Sequence, residues 1–239
     1  QVQGAIMQFA GSFQTALNPQ ITKTYSQNDL ENMHRLIFRS SKFTFFLLLC
    51  LSLPVILEAD VILRVWLKTV PEYSSIFLKL MLCIAIIDAV ANPLMVSAAA
   101  TGKVKVYQSV VGGILLAIVP ISYVVLKLGG NPYSVFIVHL CVCAIAFIVR
   151  LYIVKPLIKI TISDFIANVI VKCSAVAIPA IGISILYKVL LPQSVLYAAL
   201  VCCLSATTVA VFAYYVGLTR HERDVIGGKV SEVINRFRK

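Results

Sequence analysis

Hydrophobic and polar positions divide this chain into seven stretches of membrane length joined by short polar connections. Six of them, at about 43–63, 74–98, 108–128, 133–154, 170–190 and 195–217, are strongly apolar. That length of helix crosses a hydrocarbon core of about 30 Å. The pattern therefore predicts an all-α, polytopic membrane protein with about seven transmembrane helices in residues 1–217. A basic tail follows at 218–239.

The first stretch, 1–19, differs from the other six. At about 100° per residue, Gln1, Gln3, Gly4, Gln8, Gly11, Ser12, Gln14, Thr15 and Asn18 share one half of the wheel. Val2, Ile6, Phe9, Ala10, Phe13, Ala16 and Leu17 fill most of the other. A helix with four Gln cannot turn every face to lipid, because an amide without a partner in hydrocarbon costs several kcal/mol. An interfacial helix lying on the membrane would carry Lys or Arg on that face, and this one has none. Gln1, Gln3, Gln8, Gly11, Gln14, Thr15 and Asn18 are thus expected to line a hydrated transport cavity.

The connections have their own signals. Ser26-Gln-Asn-Asp29 reads as a helix start, with Leu30, Met33, Leu36 and Ile37 forming an apolar stripe beneath Arg35, Arg39 and Lys42. This predicts a surface helix between the first two spans. Val61–Pro71 is a short amphipathic piece whose Trp66 suits an interface, and Gly129-Gly-Asn-Pro132 is a turn. Pro54 and Pro179 interrupt spans, which membranes tolerate when a neighbour satisfies the freed carbonyl. Gly112-Gly113 is expected to let helices approach closely. An amphipathic helix is expected near 225–237.

Composition agrees: 60% of residues are hydrophobic, 13% are charged, and mean hydropathy is +0.93. The formal net charge of +11 would suggest nucleic acid if the cations were clustered. Instead they sort by topology. Taking connections alternately, sixteen Lys and Arg fall on one side and four on the other, with Lys79 inside a span. That bias places the tail in the cytoplasm and starts the chain on the outer face. No nucleic-acid partner is implied; the cations meet anionic lipid headgroups. The chain begins with Gln rather than Met and reads as part of a longer protein. All seven Cys lie in apolar runs and read as small packing residues rather than disulfides.

Charged and polar residues inside spans are candidates for function. Asp88 lies near the middle of the 74–98 span, with Asn92 a turn later and Pro93 beside it. The two could couple transport to an ion, or Asp88 could make a structural bond to a neighbouring helix. His139, Cys143 and Arg150 share one face of the 133–154 span. Two ligands at i, i+4 do not make a metal site, so no metal is expected. His139 reads as a polar cavity contact. Arg150 could hold a phosphate, although snorkelling to headgroups is the preferred reading. No catalytic constellation, Walker motif or cofactor-binding loop appears, so neither an enzyme nor a cofactor is expected.

Several phrases together are similar to a known family: Asn18-Pro-Gln-Ile-Thr-Lys-Thr-Tyr25 with Asn28-Asp-Leu-Glu31, Leu63-Arg-Val-Trp-Leu-Lys-Thr-Val-Pro-Glu-Tyr73, and Thr101-Gly-Lys-Val-Lys-Val-Tyr-Gln108. The chain resembles the C-terminal half of Wzx-type polysaccharide (O-antigen) flippases of the MATE-like superfamily. The resemblance implies one lobe of a two-lobed transporter, paired with an N-terminal lobe of the same protein, in the bacterial cytoplasmic membrane. It implies translocation of a polyprenyl-pyrophosphate-linked oligosaccharide by alternating access, and contacts with a polysaccharide polymerase. The competing expectation is a cation-coupled drug or small-molecule exporter of the same fold.

Overall fold

The computed structural model describes residues 2–67, 69–192, 194–220, 222 and 223. Among them all regular structure is helical. Helix α1 (Val2–Ser26) continues through Pro19, beyond the expected end of the first stretch. It stops where Asn28 takes a left-handed conformation (φ 58). Asp29 then caps α2 (Leu30–Leu57), its carboxylate accepting the Asn32 backbone N–H at 3.2 Å.

The separate surface helix expected before Phe43 does not form. Nothing from Leu30 onward breaks the helix before Pro54, so the amphipathic stripe becomes the opening turns of the 28-residue α2. Met33 and Ile37, expected as part of the apolar stripe of a surface helix, are fully buried in the main core.

After a bend at Glu58 come α3 (Ala59–Trp66) and α4 (Ser74–Ala100). Helices α5 (Val104–Leu116) and α6 (Ile118–Lys127) make one crossing, interrupted at Ala117. Pro120 accounts for the interruption, since it has no N–H to offer the Leu116 carbonyl one turn earlier. Helix α7 (Ser134–Ile158) ends at Lys159 in a left-handed conformation. The short α8 (Ile162–Phe165) runs through a π-helical turn, Ile166–Ile170, into α9 (Val171–Leu190). Helix α10 (Val195–Phe212) ends in a second π turn, Ala213–Gly217. The helix expected near 225–237 lies outside the described residues.

Among the described residues six helical units are long and apolar enough to cross a membrane: Leu30–Leu57, Ser74–Ala100, Val104–Lys127, Ser134–Ile158, Ile162–Leu190 and Val195–Gly217. The chain is an all-α, multi-pass membrane protein. Helix α1 is long enough but too polar to be counted with them.

Helix α2 is the centre of the bundle. It packs against α1 and α4 on one side and α9 and α10 on the other, while α7 packs on α4 and carries α5 and α6. Helix α1 runs antiparallel to α2. Ile6 and Ala10 pack with Leu48 and Leu82, and Ile21 joins the cluster that holds Met33, Ile37 and Leu94. Large apolar side chains on the outer flanks, such as Leu116, Val119, Val189 and Leu196, are mostly exposed and suit contact with lipid tails. Gly112 and Gly113 do not mediate the expected close contact: no atom lies within 4 Å of a Cβ built on either.

Candidate functional site

The packed face of α1 is rotated away from the centre of the apolar half of its wheel. Ile6, Ala10, Gln14 and Ile21 are buried, while Phe9 is 60% exposed. Gln14 is the reason for the rotation. It sits at 5% exposure, and its Nε2 donates to the Ala89 carbonyl on α4 at 2.8 Å. Ala89 lies four residues before Pro93, so its carbonyl has no N–H partner within α4. The next carbonyl, of Val90, accepts the Ser41 hydroxyl of α2 at 3.0 Å. Two neighbouring helices thus donate to the backbone around the α4 proline, and the Gln14 bond supplies the partner that Pro93 removes.

Gln14 therefore leaves the expected cavity set and joins the bundle's polar scaffold. Gln14→Leu is expected to lower stability by about 1–3 kcal/mol, because a buried carbonyl loses its donor. The check is the thermal unfolding midpoint in detergent, with Gln8→Leu as the reference that moves little.

The remaining polar positions of α1 divide. Gln8 and Thr15 are exposed. Gly11 and Asn18 are half-buried, and the Asn18 Oδ1 has no hydrogen-bond partner. Gln3 is half-buried and donates to the Met7 sulfur at 3.5 Å. Gln1 lies outside the described residues. Ser12 and Thr15 donate back to the carbonyls of Gln8 and Gly11 on their own helix. Among the described residues no other helix covers the row Gln8, Ser12, Thr15, all three exposed.

A second polar group lies between α4 and α7. Arg150 does not snorkel away from the bundle; its guanidinium pairs with Asp88 at 3.4 Å, with the Arg150 side chain 12% exposed. Asp88 and Arg150 sit at similar distances from the starts of two helices that run the same way, so the pair bridges them near mid-depth. The Arg150 Nε, the Asn92 Oδ1 and the hydroxyl of the buried Tyr107 are buried without partners. His139 is half-buried and makes no hydrogen bond among the described residues. The sequence put Asp88 and Arg150 in different groups, and only the packing of α7 on α4 shows them as one pair. Among the described residues no three His, Cys, Asp or Glu side chains gather as metal ligands would.

The basic end of the bundle holds a cluster that sequence reading missed. Glu222, 6% exposed, accepts the Lys42 Nζ at 2.7 Å and lies 3.5 Å from the Arg39 Nε. The same carboxylate accepts the Thr219 backbone N–H at 2.8 Å, so Thr219 and Glu222 form half of a capping box. Burial pushes the Glu222 carboxyl up, but the Lys42 ammonium and the Thr219 N–H outweigh it and hold it below the usual glutamate value. The available signal was the Thr-x-x-Glu spacing just after the last span.

An apolar cleft of about 260 Å³ opens between α2, α4, α7 and α9, walled by Phe45, Ile86, Val90, Phe147 and Ala177. Compared with protein-family models, curated proteins and solved structures, the chain matches none. The functional reading therefore rests on its own residues and geometry and on the sequence resemblance described above.

Proposed function

We propose that this chain forms one lobe of a membrane transporter that moves a polyprenyl-pyrophosphate-linked oligosaccharide across the bacterial cytoplasmic membrane. The supporting observation is α1. Too polar for lipid, it packs lengthwise along α2 and α4 and leaves Gln8, Ser12 and Thr15 uncovered. Amides and hydroxyls bond sugar hydroxyls without selecting one sugar. The apolar cleft beside α2 and α9 would suit a segment of prenyl chain. The lobe faces a second lobe across the translocation path, with the basic end in the cytoplasm.

The exporter reading loses ground. Asp88, its coupling residue, is already paired with Arg150, and a neutralised carboxylate attracts a cation less than a free one does.

The test is complementation. The full-length protein is expressed in a bacterium lacking its own O-antigen flippase, and surface polysaccharide is scored. Restoration by the wild type and its loss with Gln8→Leu combined with Thr15→Leu is the expected result. Resistance to cationic drugs without polysaccharide would favour the exporter instead.

A further inference from the structure

At the end of the bundle opposite the basic cluster, a cavity of about 200 Å³ lies between the α2–α3 corner and the α9–α10 hairpin. Glu58, Asp60, Arg64, Lys188, Ser194 and Tyr197 line it. Glu58 stands out. It is 7% exposed, yet its carboxylate has no hydrogen bond and no ion pair among the described residues. The nearby groups do not serve it. The Lys188 Nζ donates to the Leu57 carbonyl at the end of α2. Asp60 pairs with Lys79 at 3.3 Å. A carboxylate on a largely buried residue that faces a cavity without a protein donor is completed by whatever fills that cavity.

The chemistry of the lining narrows what that is. The missing partner must donate to Glu58. Two acids and two bases share the wall, so the cavity has no net charge to select a charged ligand. A metal cation would sit beside Arg64 and Lys188 and be repelled. A hydroxyl-rich neutral ring meets every requirement. Its hydroxyls could donate to Glu58 and accept from Arg64 and Ser194, and the exposed Tyr197 adds an aromatic ring to the lining.

We propose that this cavity binds one neutral monosaccharide unit, with the Glu58 carboxylate accepting from its hydroxyls. The proposal rests on the oligosaccharide reading above and gives the outer end of the lobe a sugar subsite, distinct from the α1 face.

The experiment is ligand-observed saturation-transfer NMR on the full-length protein in nanodiscs, with methyl glycosides of neutral, amino and uronic sugars as probes. A neutral glycoside should give a signal that Glu58→Leu abolishes and Glu72→Leu, on the exposed loop, leaves intact. Glu58→Leu should also keep or raise the thermal midpoint, because the carboxylate it removes has no partner among the described residues. The proposal fails if no glycoside binds, if Glu58→Leu binds normally, or if only the aminoglycoside binds, which would make the cavity an ammonium site. It also fails if Glu58→Leu lowers the midpoint, since the carboxylate would then be structural. Complementation separates the two readings. Polysaccharide restored equally by wild type and Glu58→Leu keeps the transporter and removes the subsite. Glycoside binding without complementation keeps the subsite and removes the flippase.

Discussion

Lys42→Met should destabilise the bundle by about 3 kcal/mol, the scale seen when one partner of a buried pair is removed. The substitution keeps the bulk of the side chain but leaves Glu222 buried with, among the described residues, only Arg39 and the Thr219 N–H as partners. The cost falls mainly on the stranded carboxylate, so Lys42→Met with Glu222→Leu should recover most of the loss. A double-mutant cycle on unfolding midpoints in detergent measures this. The pH dependence gives an independent check. Glu222 is held below its ordinary value in the folded state, so its contribution is complete above the normal glutamate range. It is lost as pH falls through the folded value, where the carboxylate protonates. The wild type should therefore lose stability on acidification over that window, and Lys42→Met should lose less.

Gly217→Ala should cost about 1–3 kcal/mol by overpacking, although it adds a single methyl group. A Cβ on Gly217 would fall 2.4 and 2.5 Å from ring carbons of Phe46 and 3.1 Å from a methyl of Val176. Phe46 is 6% exposed within the main core, so its ring has little room to move. The π turn Ala213–Gly217, closed by the Leu218 N–H bonding the Ala213 carbonyl at 3.0 Å, presents the glycine to that ring. Phe46→Leu should rescue the alanine variant. Gly182→Ala, with nothing within 4 Å of the new methyl, should be neutral or slightly stabilising. Thermal melts of the four proteins decide the matter.

The class of fold was readable because a membrane span is a composition as much as a pattern. Twenty apolar residues announce themselves whatever they pack against, and the six expected spans match six helical units. Boundaries were less legible. The Met33 and Ile37 stripe has the same spacing whether it meets headgroups or a neighbouring helix, so only tertiary packing could make it the start of α2. The wheel of α1 erred for a similar reason. It sorts residues by polarity, whereas the bundle needed an amide at Gln14 to meet the carbonyl freed by Pro93, 79 positions later in the chain. Asp88 and Arg150 were legible as unusual residues, but their pairing depends on two helices running the same way at matching depth. Glu58 carried no sequence signal, since a carboxylate at a helix end is ordinary until its burial is known.

The order of the two helices that serve the α4 proline has a consequence for synthesis. Both donors, Gln14 and Ser41, precede their acceptors, Ala89 and Val90, in the chain. A membrane protein is made from its N-terminus, so α1 and α2 are available when α4 enters the bilayer. The Ala89 carbonyl, which Pro93 leaves without a donor in its own helix, then meets the Gln14 amide already in place instead of waiting in hydrocarbon for a later helix. If α1 were moved to the end of the chain, the same folded bundle would remain geometrically possible. Helix α4 would then enter the membrane with its proline turn only partly satisfied, and misinsertion at that step would compete with folding.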